Sequence, residues 1–294
     1  MPNLYATLED IKGFGMLNIT GTSTDAVLLD CLEEASRQID TDTDRFFYIH
    51  EGTFYQDGGA IRVILDWDVQ TISTLKCDTD GDGVYESTYT VDMNVTTSPD
   101  AFVYPLNRLP KTRLEANPWG TYGHFGAGIR KSIQITGTFG YGNDWPVDFK
   151  HDNLNTLTSV ITSTSVTLPV SGNSTEALEV GHTIQLTSST PASEQIFILT
   201  KTASTSYTVR RSMNGTVAIT SGTSATIDIY DYPSPIKKAT LIHAMKTFKR
   251  RESAYANVIS NSLTGEISVW KGDDPDYVKV IKQYHKPRRG WYLF

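Results

Sequence analysis

"KCDTDGDGVYES", residues 76–87, decides whether the first half of the chain is built from helices around a calcium loop or from strands around a tight turn. Asp78, Asp80 and Asp82 alternate and Gly83 follows, which matches positions 1, 3, 5 and 6 of a helix–loop–helix calcium site. Position 12 is Tyr89, where that site needs a bidentate Glu to close. The flanks "TISTLK" and "VYESTYT" are β-branched and alternating, a strand pattern. Asp-Gly between two such runs is a strong hairpin signal. The stretch therefore predicts a β-hairpin tip, and no metal or other cofactor is assigned to it.

On either side, the period of the sequence changes. From about 46 to 145, "AIRVILDWDV", "QTISTLKC", "VYESTYTV" and "SIQITGTFGYG" read as antiparallel strands separated by Gly, Asn, Asp and Pro. Before them, "STDAVLLDCLEEASRQID" places Val27, Leu28, Cys31, Leu32, Ala35 and Ile39 at three- and four-residue steps, the mark of an amphipathic helix. Thr7 with Asp10 resembles a capping pair for a shorter helix ahead of it. Near the other end, "SPIKKATLIHAMKTFKRRES" carries Pro235 in the first turn and Lys249, Arg250 and Arg251 in the last, both favourable helix-end chemistry. Another helix is expected from Asp274-Pro275 through Tyr284.

Residues 151–232 have a different texture, rich in Ser, Thr and Val and poor in Trp, Phe and Lys. Short strand-like runs recur there ("SVTLPV", "HTIQLT", "EQIFILT", "SYTVRRS", "ATIDIYDY"), as in a small sandwich or barrel. The expectation is an α+β chain. A helical bundle from both chain ends joins a β-rich body in a discontinuous core, 1–150 with 233–294, and 151–232 is an inserted all-β sandwich or barrel domain.

Charge and composition narrow the function. The chain of 294 residues has a net charge of −7, unevenly spread: 233–294 holds twelve Lys+Arg against five Asp+Glu, and the remainder is acidic. An acidic body repels nucleic-acid phosphates, so sequence-independent nucleic-acid binding is not expected of it. No apolar run reaches the ~20 residues that span a bilayer, and no signal peptide is expected. Cys31 and Cys77, far apart and without C-x-x-C spacing, read as free thiols. The histidines lack metal-ligand spacing, and no nucleophile-elbow or phosphate-loop motif is present. Asp66 and Asp68 in "LDWD" form a conceivable carboxylate pair for a hydrolase, but alternation makes them the exposed side of a half-buried strand. No catalytic residue is assigned, and the chain is not expected to be an enzyme.

Several segments, in order, resemble the head–tail connector (adaptor, or head completion) proteins of long-tailed bacteriophages. They are "YATLEDIKGFGMLNI" with "DAVLLDCLEEASRQIDTDTDRFF", "LKCDTDGDGVYE", "ITGTFGYG" with "WP", and "PIKKATLIHAMKTFKRRES". In that family the "FGYG" strand leads almost directly into the Lys-rich helix; here about eighty residues intervene between Pro146 and Pro233. The resemblance implies a virion structural protein at the head–tail interface, assembled in the host cytoplasm. It would form a ring, usually of twelve copies, beneath the portal protein, pass genomic DNA without sequence-specific binding, and dock a stopper or tail-completion protein. It also implies that the C-terminal segment grips the portal, which makes Lys286, Arg288, Arg289, Trp291, Tyr292 and Phe294 the expected portal-binding residues. The rival reading is a calcium-stabilised β-rich adhesion or carbohydrate-binding protein, suggested by the aspartates and the Ser/Thr-rich strands.

Overall fold

The structure, a computed structural model, describes residues 3–13, 16–59, 61–94, 97–141, 150–172, 177–188, 192–252, 258–261, 266–269 and 274–286. Over these residues the chain divides into two compact units. One comprises Arg45–Phe149 with Asn214–Thr216; the other comprises Met1–Asp44, Lys150–Met213 and Val217–Lys286. The helices of both chain ends thus group with the strands after Lys150, where the sequence division had grouped them with the strands before it.

The unit starting at Arg45 is an antiparallel sheet of six strands: β1 (His50–Gln56), β2 (Arg62–Cys77), β3 (Ser87–Tyr89), β4 (Ala101–Tyr104), β5 (Lys111–Ala116) and β6 (Ile133–Phe139). Their order is β1-β6-β2-β5-β4, with β3 also paired to β2. β2 is the spine. Its first residues pair with β5, from Arg62↔Glu115 to Ile64↔Arg113, and its later part pairs with β6, from Val69↔Phe139 to Cys77↔Ile133. Between Ile64 and Val69 the register to β5 jumps, so Leu65–Asp68 bulge out of the ladder and the strand bends. The sheet curls around Leu65, Val69, Ile72, Leu75, Leu114, Phe125, Ile135 and Phe139. Gly137 in "ITGTFGYG" is needed for a close approach: a Cβ there would sit 2.0 Å from the Thr71 carbonyl oxygen.

The bulge inverts the expected faces of the second half of "LDWD", Trp67 and Asp68, and leaves Asp66 exposed as expected. Asp68 is buried and paired with Arg45 at 2.8 Å, while Trp67 is 42% exposed. Simple alternation would have exposed both aspartates and buried the Trp; the extra residues shift the phase.

In the other unit, β7 (Lys150–Thr156), β8 (Thr167–Pro169), β9 (Thr183–Thr187), β10 (Ser193–Ala203), β11 (Ser206–Arg210) and β12 (Thr226–Tyr230) form a second antiparallel sheet in the order β7-β12-β9-β10-β11-β8. The two edges meet: Leu157 bridges Val170, and the Ser171 N–H donates to the Thr156 carbonyl at 3.0 Å. The sheet encloses Leu168, Ile184, Leu186, Ile196, Ile198, Val209, Ile227 and Ile229. A two-stranded hairpin, β13 (Val258–Asn261) with β14 (Glu266–Val269), completes the strands.

Four helices are described: α1 (Leu8–Lys12), α2 (Asp25–Thr43), α3 (Ser234–Glu252) and α4 (Pro275–Tyr284). The capping box expected at α1 is present, with Thr7 Oγ1 accepting from the Asp10 N–H at 3.1 Å and Asp10 Oδ2 accepting from the Thr7 N–H at 2.8 Å. The expected bundle from both chain ends is not what organises the chain. The fold is β-rich, and the helices are a layer on a sheet. Leu28, Leu32, Leu241, Ala244 and Phe248 share one core with Phe197 and Met213, so the helical apolar faces close over β10. In β10, Ile196 and Ile198 face the sheet interior while Phe197 lies under the helices. Both faces of that strand are buried, which is what its unbroken apolar run "IFIL" requires.

Candidate functional site

The stretch 76–87 folds as a hairpin. β2 and β3 pair through Leu75↔Tyr89, Lys76↔Thr88 and Cys77↔Ser87, leaving residues 78–86 as the loop. Its carboxylates are turned inward on the loop's own backbone. Asp78 Oδ1 accepts from the Gly81 N–H at 2.7 Å and Oδ2 from the Gly83 N–H at 2.9 Å. Asp80 accepts from the Asp82 N–H, and Asp82 from the Val84 N–H at 2.8 Å. Gly81 and Gly83 both adopt φ of +88°, which glycine takes at no steric cost.

Glu86 completes the group from the returning strand. Its Oε1 accepts from the Thr79 N–H at 2.9 Å and from the Thr79 hydroxyl. Ligand-capable oxygens of Asp78, Asp80, Asp82 and Glu86 all lie within 4.8 Å of one another, the one such cluster among the described residues. The bond from the Gly81 N–H holds the Asp78 carboxyl below its usual range, and the Thr79 hydroxyl does the same for Glu86. An all-oxygen anionic set of this kind suits a hard cation such as Ca²⁺. Counting to position 12 missed Glu86 because a hairpin brings position 9, not position 12, back across from position 1. The signal was in the quoted stretch, readable once the loop is taken as a hairpin.

Two other segments brace this end of the unit. The Asp78 N–H donates to the Ser132 carbonyl at 2.8 Å, Tyr85 Oη to the Lys131 carbonyl at 2.8 Å, and the Lys131 N–H to Asp57 Oδ1 at 2.8 Å. The Gly58 N–H donates to the Ile129 carbonyl at 2.9 Å. The loops after β1 and β2 and before β6 therefore form one fixed surface, with the acidic cluster on it.

The conceivable pair Asp66 and Asp68 is not arranged for catalysis: Asp68 is neutralised by Arg45 in the interior, and Asp66 is exposed. Of the expected portal-binding residues only Lys286 is described. It is 8% exposed, and its N–H donates to the Thr43 carbonyl at 2.8 Å. Arg288, Arg289, Trp291, Tyr292 and Phe294 lie outside the described residues. Cys31 and Cys77 are free and buried. No helix among the described residues is long and apolar enough to cross a membrane. No protein-family model matches the chain, and no curated protein matches it.

Proposed function

We propose that the chain is a virion structural protein, a head-to-tail adaptor. It forms a ring beneath the portal protein and offers a DNA channel and a docking face for a stopper or tail-completion protein. The observation that carries this reading is the order of the adaptor-like segments, each of which folds as one coherent element. "LEDIK" is α1, "DAVLLDCLEEASRQIDTDT" is α2, "LKCDTDGDGVYE" is the β2–β3 turn, "ITGTF" lies in β6 and "PIKKATLIHAMKTFKRRE" is α3. The segments from opposite chain ends, α2 and α3, share one core. The acidic character of residues 1–232 suits a wall past which DNA slides without sticking. The basic, aromatic segment after Lys286 supplies the residue types that carry binding energy at interfaces, and it serves as the portal grip.

The test is localisation. In tailed particles of the phage that encodes the chain, a gold label on an affinity tag at residue 1 is expected at the head–tail junction. Label on the capsid shell or at the tail tip overturns the reading. The acidic cluster favours a second reading, a calcium-stabilised β-rich adhesion or carbohydrate-binding protein. The two differ in melting: an adaptor whose hairpin is only a turn keeps its midpoint in chelator, whereas a calcium-stabilised protein gains several degrees in millimolar Ca²⁺ by linkage.

A further inference from the structure

We propose that the β2–β3 turn carries a latent modification site, isoaspartate formation at Asp80 and Asp82, and that Asp78 keeps it shut. The sequence places two Asp-Gly pairs in tandem there, Asp80-Gly81 and Asp82-Gly83, on an exposed loop. An aspartate followed by glycine can cyclise. The glycine amide nitrogen attacks the carboxyl carbon of the aspartate side chain, a C–N bond forms, and the amide proton leaves with the carboxyl hydroxyl as water. The product is a five-membered succinimide. Water then opens the ring at either carbonyl, which restores aspartate or leaves isoaspartate, with the main chain routed through the side-chain carbons. Glycine permits the closure because it sets no Cβ beside the attacking nitrogen.

Closure needs near-attack geometry: the glycine nitrogen must turn towards the carboxyl carbon of the side chain before it. Asp78 opposes that turn at both pairs at once. Its Oδ1 holds the Gly81 N–H at 2.7 Å and its Oδ2 holds the Gly83 N–H at 2.9 Å, and these are the two nitrogens that would attack. Rotating either peptide plane breaks a hydrogen bond to a carboxylate, the stronger kind. The aspartate side chains are themselves engaged one amide further on. Asp80 Oδ1 accepts from the Asp82 N–H at 3.2 Å, and Asp82 Oδ1 from the Val84 N–H at 2.8 Å.

The third Asp-Gly pair of the chain, Asp57-Gly58, is held by other groups. The Gly58 N–H donates to the Ile129 carbonyl at 2.9 Å, and Asp57 Oδ1 accepts from the Lys131 N–H at 2.8 Å. That pair does not depend on the Asp78 carboxylate, so it serves as an internal control. An isoaspartate adds a carbon to the backbone path, and a tip lengthened in this way no longer fits the register that pairs Cys77 with Ser87. The clamp therefore preserves a turn that does not re-form once isomerised. The inference goes beyond the adaptor reading and does not rest on it.

The test is incubation of the full chain at about 37 °C and pH 6, folded and unfolded in guanidinium chloride, followed by trypsin and electron-transfer mass spectrometry. Peptide 46–62 reports Asp57, and peptide 77–108 reports the tip. In the folded wild type, Asp80 and Asp82 are expected to isomerise at least about tenfold more slowly than in the unfolded chain. Asp78→Ala is expected to bring both close to the unfolded rate and leave Asp57 unchanged. Asp78→Asn keeps a single acceptor oxygen, so it is expected to release one pair and hold the other. Should Asp78→Ala melt near the incubation temperature, the Asn variant carries the test. A folded wild type that isomerises at the unfolded rate overturns the proposal, as does a folded variant that isomerises like the wild type. Asp57 rising in step with the tip also overturns it, because the loss would then be general loosening.

Discussion

Replacing Arg211 by Met puts a number on the interior of the second sheet. Glu194 is fully buried, and the Arg211 side chain is 8% exposed. Arg211 Nε donates to Glu194 Oε1 at 2.7 Å, and Nη2 donates to Oε2. The Ser212 and Ile219 N–H groups donate to the same carboxylate at 2.8 and 3.0 Å. The guanidinium also serves the carbonyls of Thr162, Ser165 and Ile219. Burying two charges costs several kcal/mol each, and their attraction offsets this only when the remaining lone pairs and protons are satisfied, as they are here. Arg211→Met keeps most of the volume but leaves Glu194 without a counter-charge and removes the guanidinium donor from three carbonyls, of which Thr162 keeps the Ser165 N–H at 3.1 Å. The expected loss is about 3–5 kcal/mol, the range for breaking one half of a buried pair. For a unit of this size that lowers the calorimetric midpoint by roughly 6–20 °C. Differential scanning calorimetry at pH 7 reads it directly, and the double variant Glu194→Leu with Arg211→Met should lose less than the two singles combined. A loss under about 1 kcal/mol for Arg211→Met, the size of an exposed ion pair, would refute the reasoning.

Asp40 gives a pH dependence of known sign. Burial pushes its carboxyl up to about 6, although Arg37 at 3.2 Å and the Tyr5 hydroxyl pull it down. The folded chain therefore keeps a proton that the unfolded chain releases near pH 3.9, so stability falls as pH rises from about 4 to 6 and the cost is fully present above that window. Asp40→Asn should flatten this slope in urea melts at pH 4.5 and 7 and gain at most about 3 kcal/mol at pH 7, less the lost ion pair; an unchanged slope contradicts the assignment. Burial raises the Cys31 and Cys77 thiols to about 11, so both should resist a thiol reagent at pH 8 until the chain is unfolded. Rapid labelling of either in the native protein would show that its element opens.

What the sequence disclosed and what it hid follow from how local each cause is. The β2–β3 turn was legible because Asp-Gly and alternating flanks are neighbours in the chain. So were α2, α3 and α4, whose periodicity and end residues are local, and the change of texture near 150, where β7 begins. The inverted exposure of Trp67 and Asp68 was hidden because the bulge is set by the register against β5, some fifty residues away. The bundle expectation failed for a related reason. Amphipathic faces show that a helix is covered but not by what, and the clue lay in the doubly apolar run of β10. The Glu194–Arg211 pair joins positions 17 residues apart, with no motif to mark it. Trp119 was one aromatic in a Gly-rich loop; only its surroundings show that it is held out into solvent.

The central claim is that this chain joins a phage head to its tail, and the most direct measurement removes residues 287–294 while leaving Lys286, which is bonded to Thr43, in place. The truncated gene is returned to its phage, and the particles are examined by electron microscopy, with calorimetry of the purified truncated chain beside it. The account predicts an unchanged melting midpoint together with tailless heads that leak DNA. Normal tailed virions from a folded, truncated chain would contradict it.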